Sequence, residues 1–270
     1  FSHSYKDVFV LLRPINPVDE QRSSIEKYLS LVNRQLSTIM SCILNIETST
    51  SVCSVALSAD GEVLFEKSSF EGPSHAALLG VYVEEAIAVT KEKGLKLDAV
   101  AVSSGPGSYT GLRIGVSVAK GLCFGYGIPL ISIPTLEVLA VAALEQQNNA
   151  SDCLYCAMLD ARRMEVYATI YDVNLKTVRE TSADIVDAET YASWLEKGKV
   201  CFFGNGAAKC REVITSPNAL FIDNIHPLSV NMVTLSEKAF VESRFEDVAY
   251  FEPFYLKEFQ ATIAKNKVLG

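Results

Sequence analysis

A chain of 270 residues, 49% of them hydrophobic, carries enough apolar mass to bury a sizeable core, as one large domain or as two lobes. Its net charge of -8 excludes a surface built to hold nucleic acid unaided, because phosphate binding draws on clustered Lys and Arg; any work on RNA needs a basic partner. No run reaches the roughly 18 apolar residues of a membrane span, and the seven cysteines, set mostly in apolar stretches, read as reduced thiols, so a cytoplasmic protein without membrane association is expected.

Residues 1–39 hold two prolines and no sustained period, and are expected to form an N-terminal extension outside the native fold; Met40, directly before the first convincing strand, is a candidate start. Two lobes are expected beyond it, 40–148 and 149–270. Strands are predicted over 42–47, 52–58 and 62–67, the last two joined by Asp60-Gly61, a strong hairpin signal. A helix runs from about Pro73-Ser74 to before Gly94, with proline early and glycine just past its end. A buried strand over 97–103, a glycine-rich loop, a helix over 111–125, a strand over 128–133 and a helix from Thr135 complete the first lobe, and their alternation argues for parallel pairing. After Asn148-Asn149 the opening pattern recurs: strands over 153–159 and 165–171 flank a turn at 160–164. A helix over 188–196, a strand over 199–203, a Gly204-Asn205-Gly206 loop into a short helix, and a last helix over 232–243 come next.

The segment Ser103-Ser104-Gly105-Pro106-Gly107-Ser108-Tyr109-Thr110-Gly111 lies between a strand and a helix, where backbone N–H groups and the positive helix end can bind an anion. Gly107 and Ser108 are therefore candidate nucleotide neighbours. The spacing is neither G-x-G-x-x-G nor a Walker A loop. The competing reading is that Gly105, Gly107 and Gly111 permit a tight turn and close helix packing. Glu47 to Ser51, at the tip of the first hairpin, offers a second phosphate candidate through Thr48 and Ser49, against a turn in which those hydroxyls bind their own backbone.

Metal chemistry finds little support: the histidines are His3, His75 and His226, and no H-x-x-x-H pair exists. No metal site and no catalytic residue is nominated. His75, opening a helix, reads as an interface or capping residue. Cys153 and Cys156 share a predicted strand and so point to opposite faces, which favours structural thiols. Asp160, Arg162 and Arg163 form either an anion grip or a solvated turn. The two long helices of the first lobe are apolar on more than one face. Leu78, Leu79, Tyr82 and Ala86 make one stripe, broadened by Val83, Ile87 and Val89; Leu112, Gly115, Ala119 and Leu122 make another whose small members admit a helix closely. Side by side, such helices would complete a four-helix interface with a similar pair from another chain; the alternative is that other elements of the same fold cover them.

Six segments taken together, ILNIETSTSVCSVAL (43–57), SHAALL (74–79), SSGPGSYTGLRIG (103–115), IPLISIPTLEVLA (128–140), DARRMEVY (160–167) and EPFYLKE (252–258), resemble the TsaB (YeaZ-like) family of tRNA threonylcarbamoyladenosine biosynthesis. The resemblance implies an α/β, two-lobed actin-like fold of the ASKHA, RNase H-like class, with mixed sheets and flanking helices. It implies a non-catalytic scaffold that binds and activates a TsaD-like catalytic subunit for N6-threonylcarbamoylation of adenosine 37 in tRNA. A TsaE-like ATPase would join the pair, the chain would dimerise with itself when alone, and tRNA would be met only through the complex. No cofactor is required, ATP or ADP being expected only in the assembled complex. The family's interface would fall on the helices at 74–93 and 111–125. Many relatives have Asp where this chain has Glu47, which weakens metal-nucleotide chemistry there. The alternative function is an actin-like ATPase or small-molecule kinase binding nucleotide between the lobes.

Overall fold

Glu47 ends a six-residue strand buried along its whole length, and the fold is built outward from that strand. In the computed structural model, which describes residues 41–71, 75–147 and 152–257, this strand is β1 (Cys42–Glu47). It pairs antiparallel with β2 (Cys53–Ala59), which pairs antiparallel with β3 (Glu62–Ser69). On its other edge it pairs parallel with β4 (Ala99–Gly105), which pairs parallel with β5 (Leu130–Pro134). The sheet order is β3-β2-β1-β4-β5. The expected extension 1–39 and most of the junction between the expected lobes lie outside the described residues.

The helix α1 (His75–Glu92) enters between β3 and β4, and α2 (Tyr109–Tyr126) between β4 and β5. Both lie on the face of the sheet to which Cys42, Leu44 and Ile46 point, burying Leu79, Val83 and Ala86 from α1 and Val116, Ala119 and Cys123 from α2. Successive strand residues alternate faces, so Ile43, Asn45 and Glu47 point the other way. There α3 (Thr135–Gln146) covers them together with α5 (Val233–Val241). Ser108 caps α2, its side chain accepting from the Gly111 N–H, and Gly127 ends it in the left-handed conformation at φ 68°.

A second sheet, in the order β10-β9-β6-β7-β8, repeats the scheme: β6 (Cys153–Asp160), β7 (Glu165–Tyr171) and β8 (Thr177–Ile185) are antiparallel, while β9 (Lys199–Phe203) and β10 (Ala219–Ile222) run parallel to β6. α3 joins the sheets: Val138 and Val141 pack on the first, Leu136, Leu139, Ala140 and Ala143 on the second. A helix apolar all round is one buried all round. The described residues group as one compact unit that holds both sheets. The two mixed sheets with flanking helices match the expected α/β fold class.

Where the elements depart from the sequence expectation, polarity or shortness is the cause. β8 is half-exposed and polar, Thr-Val-Arg-Glu-Thr-Ser-Ala-Asp-Ile, and β10 has four residues, so neither shows a strand period. The helix expected over 188–196 contracts to α4 (Ala192–Leu195), and the last helix is preceded by a 3-10 turn at Ser229–Met232.

Candidate functional site

The glycine-rich loop and the tip of the first hairpin are locked into one another. Ser108 donates its N–H to the Ser49 carbonyl at 2.6 Å, and Thr48 Oγ1 donates to the Gly111 carbonyl at 2.8 Å. A Cβ at Gly107 would collide with the Ser49 carbonyl, one at Gly111 with the Thr48 carbonyl, and one at Gly115 with Thr48 Oγ1. The chain 249–255 lies against the same region: Phe254 donates its N–H to the Ser104 carbonyl at 2.7 Å, and Lys120 Nζ donates to the carbonyls of Ala249 and Phe251. Amides that would meet a phosphate are thus engaged within the chain at Ser108, Gly111 and Leu112. Thr48 and Ser49 are buried. Of the two readings of this loop, the geometry favours packing, and Gly115 belongs to that packing.

Glu47 sits beneath the tip, fully buried. Its Oε1 accepts from the Ser49 N–H at 2.5 Å while Oε2 has no hydrogen-bond partner. Burial, opposed by hydrogen bonding from Ser49, pushes its carboxyl up to about 7. A partly protonated, enclosed carboxyl is poor magnesium-nucleotide chemistry.

The other nominated groups fall apart in space. His75 is buried, its Nε2 3.1 Å from the carbonyl of Val52, the residue before β2, so the start of α1 lies against the entry to that strand. His226 packs its ring edge against Phe70. Among the described residues no group of three or more His, Cys, Asp or Glu could hold a metal ion. Asp160 caps its turn by accepting from the Arg162 N–H at 3.1 Å and pairs with Lys209, leaving Arg162 and Arg163 exposed at positive φ. Cys153 and Cys156 do point to opposite faces of the second sheet, each toward a different core cluster.

The helix faces require a correction. Of the residues nominated for a partner surface, His75, Leu79, Ala86, Leu112, Gly115 and Ala119 are buried in this chain's own core, Leu79 at 1% and Ala119 at 0% exposure, while Leu78, Tyr82 and Leu122 are half-buried. The physical reason is that strong apolar periodicity marks the side facing the sheet. What the pattern missed is the opposite side. On α1, Ala77, Gly80, Val81 and Ala88 are exposed, Val81 at 49%; on α2, Ser117, Gly121, Phe124 and Gly125 are exposed, Phe124 at 87%. A Cβ at Gly80, Gly121 or Gly125 would meet nothing within 4 Å among the described residues. The two helices touch each other, so these residues belong to neighbouring surfaces. The available signal was Ser117-x-x-x-Gly121-x-x-x-Gly125, one face at helical spacing. The large apolar residues of the buried stripes masked it.

Comparison with known proteins narrows the chemistry. The family model described as TsaD, tRNA N6-adenosine threonylcarbamoyltransferase, matches residues 71–265. The chain is 30% identical over 236 residues to the tRNA threonylcarbamoyladenosine biosynthesis protein TsaB of Escherichia coli (strain K12), covering 84% of this chain and 98% of that one. It is 29% identical over 228 residues to the TsaB protein of Haemophilus influenzae, covering 80% and 93%. Among solved structures it is similar to YeaZ from Pseudomonas aeruginosa, at a TM-score of 0.67 and 27% identity, covering 80% of this chain and all of that one. A second structure, of an uncharacterized Pseudomonas aeruginosa protein with similarity to peptidase YeaZ, gives a TM-score of 0.69 at 25% identity, covering 81% of this chain and all of that one.

Proposed function

We propose that this chain, which belongs to the TsaB (YeaZ) family of tRNA threonylcarbamoyladenosine biosynthesis proteins, serves that synthesis as a non-catalytic partner subunit, binding and activating a TsaD-like transferase through the outer faces of α1 and α2. The observation that carries this reading is the pair of helix-interior glycines at 80 and 121, with Gly125 in the last turn of α2, all of which face open space among the described residues. Glycine inside a helix costs about 1 kcal/mol relative to alanine, and nothing among the described residues packs against Gly80 or Gly121 to offset that cost. A helix from another chain, approaching closely over Gly80 and Gly121 with Val81 and Phe124 beside them, would offset it.

Charge and chemistry extend the same reading. At a net charge of -8 the chain meets tRNA through its partner rather than directly. It requires no cofactor of its own, and ATP or ADP belongs to the assembled complex with a TsaE-like ATPase. Without the TsaD-like subunit the same face pairs with a second copy of this chain. No helix among the described residues is long and apolar enough to cross a membrane, and we place the assembly in the cytoplasm. The rival reading, an actin-like ATPase or kinase, gains nothing from a hairpin tip that is buried and already hydrogen-bonded.

The test separates fold from interface. Gly80→Ala and Gly121→Ala should each stabilise the isolated chain by about 0.5–1 kcal/mol in urea unfolding. Gly80→Arg and Gly121→Arg should leave it folded yet lower co-purification of the cell's TsaD-like protein, and the threonylcarbamoyladenosine content of tRNA, at least about tenfold. Full co-purification with both arginine variants would overturn the assignment. Ala119→Arg is no such test: a charge placed in the core would unfold the lobe.

A further inference from the structure

Spacing in the sequence pairs Cys153 with Cys156, but the cysteine that Cys153 meets in space is Cys201. β6 and β9 run parallel with Lys199 opposite Cys153 and Cys201 opposite Tyr155, so Cys153 and Cys201 stand diagonally on one face of the second sheet. Their Sγ atoms are 3.1 Å apart, about 1 Å beyond the length of an S–S bond. Cys153 is partly buried at the start of β6, whereas Cys201 is buried at 3% exposure and the remaining cysteines are buried as well. A partly buried thiol in contact with a fully enclosed one is the arrangement in which an oxidised sulfur finds its resolving partner before a second oxidant arrives.

We propose that Cys153 and Cys201 form a redox modification site, closing to an intramolecular disulfide when the protein meets a peroxide. The Cys153 sulfur attacks hydrogen peroxide; the O–O bond breaks, one oxygen leaves as water, and Cys153 becomes a sulfenic acid. The Cys201 sulfur then displaces that oxygen as a second water, the S–S bond forms, and the two thiols together have given up two electrons and two protons to one peroxide. The bond joins strands 48 residues apart in sequence, at the end of the second sheet where β6 and β9 begin. It leaves Cys156, on the opposite face, untouched.

The experiment uses the full chain, treated with a small excess of hydrogen peroxide, alkylated, and mapped by mass spectrometry before and after a thiol reductant. The expected result is an intact mass, taken before alkylation, lower by about 2 Da, from two lost hydrogens, then a linked peptide pair containing Cys153 and Cys201, and full reversal by the reductant. Cys153→Ser and Cys201→Ala should each lose the linkage, and Cys156→Ser should keep it. A gain of about 32 Da at Cys153, the sulfinic acid, with Cys201 still open to alkylation after denaturation, would overturn the proposal. So would linkage between two chains on a non-reducing gel, or no change in the wild-type mass. Because the wild-type map decides the question, a variant that fails to fold does not leave it open.

Discussion

The two sheets are built on one plan and finished differently. In each, a three-stranded antiparallel unit is followed by two parallel strands, and the fourth strand ends in Gly-x-Gly: Gly105-Pro106-Gly107 after β4, Gly204-Asn205-Gly206 after β9. The first glycine of each pair has positive φ, 102° and 93°. In each, the second glycine lets the end of the first strand or its turn approach: a Cβ at Gly107 would meet Ser49, and one at Gly206 would meet Leu159 at 2.8 Å. The difference lies in the next element along the chain. After Gly107 comes an 18-residue helix with an exposed, small-residue face, and after Gly206 only a 3-10 turn at Ala208–Cys210. The repeat teaches that the glycines serve the topology, since they recur where no long helix succeeds them, and that, among the described residues, the pair of helices laid over the first half is particular to it.

The largest effect should come from breaking the close approach of loop and strand end, first in the half where it is tightest. Gly111→Ala would drive a methyl group into the Thr48 carbonyl, where backbone on both sides must shift, and should cost more than about 3 kcal/mol in urea unfolding. Gly206→Ala, whose contact is less severe, should cost about 2 kcal/mol. A first loop that existed only to bind phosphate would leave Gly111→Ala as stable as the wild type, and the comparison between the halves would fail.

This plan was readable in the sequence to the extent that burial writes a period. Strands predicted over 42–47, 165–171 and 199–203 coincide with β1, β7 and β9, because each is bounded by polar or turn residues and buried within. β8 was illegible because an edge strand half in water needs no apolar alternation. The site was less legible than the fold. The motif around Gly107 was visible, yet its partner, the Ser49 carbonyl, lies far upstream in sequence, and a backbone oxygen leaves no trace in residue type. The outer faces of α1 and α2 were obscured for the opposite reason: Gly80 and Gly121 look like weak helix positions until none of the described residues is found near them.

The strand ends sharpen the comparison further. Glu47 ends β1 and Asp160 ends β6, the same place in the repeat, but Glu47 is enclosed and Asp160 is exposed. In the unfolded chain the Glu47 carboxyl titrates near its ordinary 4.5, and in the folded chain near 7. The folded state therefore holds the proton more tightly, so the stability from this group is complete below pH 4.5 and is lost as the pH rises to 7. The loss should be about 3 kcal/mol. Urea unfolding across that window, repeated on Glu47→Gln, checks the sign: the glutamine variant keeps the acceptor for the Ser49 N–H and should lack this part of the slope. An identical pH profile in both proteins would mean that Glu47 does not titrate in that window.

Asp160 should show the smallest effect, for reasons that mark the second half as the solvated version of the plan. Its carboxylate accepts from the Arg162 N–H at 3.1 Å and pairs with Lys209, but its side chain is 46% exposed. Water competes for both contacts, and an ion pair in that setting contributes little. Asp160→Ala should cost about 0.5–1 kcal/mol, and Asp160→Asn less, because the amide oxygen still caps the turn through the Arg162 N–H. Part of the Asp160→Ala cost should vanish at about 1 M salt while the cost of Gly206→Ala stays, since screening weakens a surface charge pair and does nothing to a steric collision. A salt-independent loss of several kcal/mol at Asp160 would mean that the turn of the second half is as tightly held as the tip it repeats, and the division into an enclosed half and a solvated half would have to be given up.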